Sequence, residues 1–174
     1  KSHIGAKVGN YMNQGKMIPD KLFEKIIFNH LKKIGHPHHI IFDGFPRRMK
    51  QFYIISKIKN ALNFDKIITI YLKLNEKEAI ERLKDRLICP KCENVYSIKL
   101  DKIEQCLKCK TVLVKRKDDN KKAILKRFVI FNKSTLPVVN KLSKTTNYFE
   151  YDASKNIDEL AHIIDKNIKI LLKK

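Results

Sequence analysis

At 174 residues and 43% hydrophobic content, the chain is long enough for one domain with a real core and too apolar for a disordered segment. No run approaches the roughly 18 apolar residues of a membrane span, and no secretory-signal pattern opens the chain, so a soluble, cytoplasmic protein without a membrane partner is expected. Lys and Arg outnumber Asp and Glu by 38 to 18, a net +20 that suits a polyanionic partner, although a Lys-, Asn- and Ile-rich composition bias accounts for it as well.

In chain order, "DKLFEKIIFNHLKKI" (20–34) places Leu22, Phe23, Ile26, Ile27, His30 and Leu31 on one face with Gly35 as a stop, an amphipathic helix. Ile40, Ile41 and Phe42 then run into Asp43, which predicts a short buried strand over 40–43. A helix is expected over 48–61. "KIITIYLKL" (66–74) is nearly continuous in apolar residues, as in a parallel strand buried on both faces. Asn75 and Glu78 resemble a capping box and predict a helix to about Leu87. Residues 88–116 hold all four cysteines and little helical periodicity. A helix from Asp118 or Asp119 past Phe131 toward Pro137, a strand over 147–151 and a last helix opened by Asn156 and Glu159 complete the chain. The last helix turns Ile163, Ile164, Ile168 and Leu171 inward. Such alternation implies right-handed crossovers and a parallel sheet with helices on both faces.

Cys89, Cys92, Cys106 and Cys109 spell "CPKC" and "CLKC". Two such pairs suit one tetrahedral ion with no open position, the pattern of structural zinc. Two disulfides or unligated thiols are the alternatives. Glu93 and Lys110 stand where many such knuckles have glycine.

The loop "IIFDGFPRRMKQ" (40–51) delivers an acid, a glycine, a proline and two arginines to a strand's carboxyl end, where open parallel sheets bind ligands. Gly44 permits close approach of a ligand to the backbone, Pro46 stiffens the turn, and Arg47 aims a fork of donors at an anion. Gln51 has an amide suited to a nucleobase edge.

Together "FDGFPRRMKQ", "ERLKDRLICPKC", "VKRKDD", "ILKRF" and "YDASK" closely resemble, in the same order, the signatures of adenylate kinases with a four-cysteine lid. The resemblance covers essentially the whole chain. It implies a P-loop-kinase-like α/β fold with a core over 1–88 and 117–174, an AMP-binding region at about 1–35, and a zinc-binding lid over 89–116. It implies reversible phosphoryl transfer from ATP to AMP, giving two ADP, by a monomer using magnesium with ATP. Lys16, Met17, Ile18, Gly44, Phe45, Pro46, Arg47 and Gln51 match AMP-binding positions. Arg82, Arg86, Val95, Tyr96 and Lys155 match ATP-binding ones. Arg116 and Arg127 match the pair that clamps AMP and the transferring group, and Arg47, Arg86, Arg116 and Arg127 are the implied catalytic set. Such roles suit phosphoryl transfer, which asks mainly for positioning and charge stabilisation.

Two departures are modest: Asp85 replaces a usual glycine and Arg48 a usual threonine. A third bears on activity. The family's first strand and Gly-rich loop, GxxxxGK[ST], have no counterpart in these residues; "GNYMNQGKM" (9–17) has one residue too many and Met where a hydroxyl should hold magnesium. The expectation is a chain lacking roughly the family's N-terminal forty residues and inactive alone. A non-catalytic zinc-ribbon binder of nucleotides or nucleic acid, and a kinase for another nucleoside monophosphate, are the competing readings. Dispersed charge and a cysteine segment poor in aromatics weigh against nucleic acid.

Overall fold

The structure is a computed structural model and describes residues 3–13, 18–116, 119 and 121–172. It is a mixed α/β fold: α1 (His3–Asn13), α2 (Asp20–Ile34), α3 (Met49–Ala61), β1 (Ile68–Lys73), α4 (Glu76–Lys84), β2 (Arg86–Ile88), β3 (Val95–Ser97), α5 (Ile98–Asp101), β4 (Val114–Lys115), α6 (Lys121–Ile130), α7 (Leu136–Leu142), β5 (Asn147–Asp152) and α8 (Ile157–Leu172). The chain divides into two compact units, 1–68 with 134–147 and 69–133 with 148–174. The expected 89–116 insert lies inside the second.

In the first unit, α2 ends as its sequence requires: Gly35 takes φ +79° and donates its N–H to the Leu31 carbonyl at 3.1 Å. Leu31, Ile54 and Ile58 form a buried cluster between α2 and α3, covered by Phe23, Ile27, Phe28, Ile40, Phe42 and Phe45. A second cluster joins Phe52 of α3 to Val138 and Leu142 of α7. The expected strand over 40–43 is not formed. Residues 40–42 are irregular; Ile40 and Phe42 pack on the first cluster, while Ile41 is 94% exposed. No strand among the described residues pairs with this segment, and without a ladder an apolar run gains burial on one side alone.

β1 and β5, most of whose residues belong to the second unit, form a parallel pair. Ala153 N donates to Lys73 O at 2.8 Å, six residues beyond the bond from Asn147 N to Ile67 O at 3.1 Å. β1 is shorter than its apolar run and is not buried on both faces: Leu72 is 50% exposed. The Asn75 side chain accepts the Glu78 N–H at 2.8 Å, as expected of the cap, but α4 stops at Lys84. Arg86–Ile88 instead forms the centre of an antiparallel sheet in the order β3–β2–β4. Ladder bonds on both edges outweigh the helical pattern there.

The helix beginning at α6 does not end near Pro137. It widens to a π-helix over Phe131–Thr135 and continues as α7. Proline at 137 has no N–H for the Lys133 carbonyl, so the turn before it opens instead of breaking. At α8 the Asn156 Oδ1 accepts from Asp158 N at 2.9 Å and Glu159 N at 3.3 Å.

Candidate functional site

The sequence places the 43–51 loop between two helices, and its own polar groups hold it. Gly44 has φ +61°, a conformation L side chains rarely adopt, and its carbonyl accepts from Arg47 Nε at 2.6 Å. A Cβ at Gly44 would collide with the Arg47 guanidinium. Phe45 packs in tilted contact against Phe23 and Phe42, ring centroids 5.0 and 5.2 Å apart, anchoring the loop to the core, and Pro46 is buried. Gln51 is buried at the first turn of α3, where its Oε1 accepts the Arg47 N–H at 2.8 Å and its Nε2 donates to Asp20 at 3.4 Å. Arg48 reaches the same carboxylate at 2.6 Å and the Ile18 carbonyl at 2.6 Å. The Arg47 side chain stays exposed.

In the second unit the short sheet orders the arginines. Leu87 pairs with Lys115 and Ile88 with Val114, a register that sets Arg86 level with Arg116. Neighbouring cations across a ladder repel, and one acid offsets them. Asp119, 5% exposed at its side chain, takes the Arg86 guanidinium in both carboxylate oxygens, at 2.7 Å from Nε to Oδ2. Its Oδ1 also lies 3.5 Å from Arg127 Nη1, and its N–H donates to the Arg116 carbonyl at 3.1 Å. The Arg86 and Arg127 guanidiniums therefore converge on the Asp119 carboxylate, and Arg116 is tied to the same residue through its backbone. Beside them Tyr71, Leu74, Leu83, Ile124, Phe128 and Arg127 contribute to the lining of a cavity of about 230 Å³.

Two knuckles of the same shape carry the cysteines. In the first, Cys89 N donates to Asn94 O and Glu93 N to Cys89 O, both at 2.9 Å. Seventeen residues on, Cys106 N donates to Thr111 O at 2.9 Å and Lys110 N to Cys106 O at 2.8 Å. Glu93 and Lys110 sit at φ +61° and +59°, the glycine-like positions of each turn. The four Sγ atoms lie within 4.8 Å of one another, with closest approaches of 3.3, 3.4 and 3.7 Å. All four are free thiols, so no disulfide forms here. A tetrahedral ion with metal–sulfur bonds of 2.3 Å would space its sulfurs about 3.8 Å apart, so the donor set fits such an ion. The Tyr96 hydroxyl leads the hydrogen bonds that hold the Cys106 thiol down to about 6. Cys92 is pushed up to about 12: the Asn94 N–H lowers it, but burial and the sulfurs of Cys106, Cys89 and Cys109 outweigh that bond.

The family model described as adenylate kinase matches residues 1–147. The chain is 34% identical over 168 residues to an adenylate kinase of Mesomycoplasma hyopneumoniae (strain 7448), across 95% of this chain and 77% of that protein. It is 32% identical to one of Rickettsia bellii (strain RML369-C), across 94% and 77%. A Thermosipho africanus (strain TCF52B) adenylate kinase is 29% identical, across 92% and 76%. The chain belongs to the adenylate kinase family.

Of the positions matched to adenylate kinase roles, Ile18, Gly44, Phe45, Pro46, Arg47 and Gln51 lie together in the first unit; Lys16 and Met17 fall outside the described residues. Arg82, Arg86, Val95, Tyr96, Arg116, Arg127 and Lys155 belong to the second unit. Arg82 bonds Glu78 at 3.0 Å and the Ser154 carbonyl at 3.2 Å, beside Lys155, which is exposed. Val95 is 62% exposed, free to meet a flat ring, whereas the Tyr96 hydroxyl turns into the cysteine cluster. Sequence reasoning missed Asp119. The acid pair in "VKRKDD", directly after three basic residues, was its only signal.

Proposed function

We propose that the chain supplies the acceptor site, arginine clamp and cysteine-bearing lid of an adenylate kinase in nucleotide homeostasis, which moves a phosphoryl group reversibly between ATP and AMP to give two ADP. The observation that carries this reading is the convergence of Arg86 and Arg127 on one carboxylate at the root of the cysteine-bearing segment, with Arg116 set level with Arg86 by the β2–β4 register. Incoming phosphates can exchange with Asp119 for guanidiniums already held in place, and bidentate forks suit them better than ammonium groups. The 43–51 loop supplies the acceptor side: Arg47 for the AMP phosphate, Gly44 for close backbone approach, and Gln51 for the adenine edge. Lys16, Met17 and Ile18 complete that side, while Arg82, Val95, Tyr96 and Lys155 serve ATP, with magnesium on its phosphates.

Cys89, Cys92, Cys106 and Cys109 would hold zinc, which supplies folding energy to the lid and no chemistry. No helix among the described residues is long and apolar enough to cross a membrane. A cytoplasmic monomer is our assignment from the family resemblance.

The test is a coupled assay of ADP formation. No GxxxxGK[ST] cradle for the donor phosphates occurs in these 174 residues. Misplacing a donor by about 1 Å can cost on the order of a hundredfold, so the polypeptide assayed as it stands is expected to turn over negligibly. Joining a strand, P-loop and helix of the family pattern ahead of Lys1 should give magnesium-dependent ADP formation with AMP. In that protein Arg127→Ala should lower turnover more than nucleotide affinity. Robust turnover by the 174 residues alone would refute our placement of the donor site. Preference of the joined protein for CMP or UMP would refute the acceptor assignment.

A further inference from the structure

The sulfurs of the two knuckles differ in what surrounds them. Cys89 Sγ takes the Cys92 backbone N–H at 3.5 Å, and Cys92 Sγ that of Asn94. The second knuckle has side-chain hydroxyls as well: Tyr96 Oη is 3.3 Å from Cys106 Sγ, and Thr111 Oγ1 is 3.3 Å from Cys109 Sγ. Tyr96 comes from β3, in the segment between the knuckles, and its ring packs against Cys89, Cys106 and Leu113. The phenol oxygen also accepts the Leu107 N–H at 3.1 Å, one residue beyond the cysteine it touches. A thiolate bound to an ion has no proton of its own to give, so the hydroxyl's single proton goes to the sulfur while its oxygen accepts from Leu107.

We propose that Tyr96 is a positioning residue of the metal centre: Leu107 orients its hydroxyl, which donates to the Cys106 thiolate and fixes that ligand toward the ion. Four thiolates around a divalent ion carry two excess negative charges in a partly buried site, and each O–H or N–H donor aimed at sulfur offsets some of that charge. Outer partners of this kind change metal affinity by roughly 10–100-fold when removed. The inference rests on the reading of the four cysteines as a metal site.

Tyr96→Phe keeps the ring and removes only the proton. In the full chain, cobalt and zinc affinities, measured by competition with a chelator, should fall roughly tenfold. The thiolate-to-cobalt charge-transfer absorption should shift, which loss of packing alone would not cause. Thr111→Val should shift the same absorption through Cys109. Tyr96 is the only tyrosine between residues 72 and 147, so the unmodified chain offers a second readout. Adding and chelating cadmium should change its tyrosine ultraviolet difference spectrum even if the variant fails to fold. If the unmodified chain binds neither cobalt nor zinc, the metal reading itself fails. If it binds them, but Tyr96→Phe binds equally tightly with an unshifted spectrum, or cadmium leaves the tyrosine spectrum unchanged, the role given to Tyr96 is overturned.

Discussion

Gln51 and Asp119 teach opposite lessons about single residues. Gln51 was singled out for its amide, and the structure shows that amide already engaged by the Arg47 N–H and Asp20, which fixes its rotamer before any base arrives. Asp119 was named from the sequence only as a possible helix start, and its pairing with Arg86 and Arg127 is seen only in the fold. Its burial depends on a register between β2 and β4 that no local pattern encodes. Asp119→Asn should cost about 1.5–3 kcal/mol, the scale of hydrogen bonds to charged groups, because Arg86 loses its counter-charge in a half-buried place. Denaturant titration followed by a probe on β2 checks this; an unchanged midpoint would show the pair to be dispensable. Gly44→Ala should destabilise the loop by about 1–2 kcal/mol through its positive φ. It should also swing the Arg47 guanidinium outward, seen as weaker AMP binding in calorimetry.

At the scale of elements, the sequence reported local grammar faithfully. Asn75 caps α4, Gly35 closes α2, and Asn156 opens α8, because each motif is satisfied within four residues of itself. Two elements that depend on distant partners were read wrongly, although the strands that pair as β1 and β5 were read in place. Ile40 to Phe42 has strand composition but no ladder among the described residues, and Arg86 to Ile88 left a helical pattern for pairing with 95–97 and 114–115. The knuckles show a third case: Glu93 and Lys110 occupy glycine geometry without being glycine. Lys110→Gly should therefore stabilise its knuckle by about 0.5–1 kcal/mol, the relief of the left-handed penalty less glycine's own entropy cost. The chelator concentration needed to melt the lid should rise. A fall would mean that the lysine side chain contributes more than its backbone strain costs.

For the molecule as a whole, a net charge of +20 draws polyanionic substrates toward each unit, and salt should weaken that attraction. The paired cysteine knuckles give the segment from Cys89 to Cys109 a different kind of dependence. An ion held by both ends acts as a reversible crosslink, and losing it restores the chain entropy of a loop of that length, about 3 kcal/mol by analogy with a disulfide. Six lysines stand between Cys89 and Arg116. Trypsin would then serve as a gauge of metal supply: intact while the crosslink holds, the chain should be nicked first within this short stretch after chelation, and the two resulting fragments would be resolved by mass spectrometry. Cleavage elsewhere first would show that the knuckles fold without their ion. On our reading of the four cysteines as a metal site, scarcity of the ion would expose this stretch to any protease that cuts after lysine before the rest of the chain had unfolded.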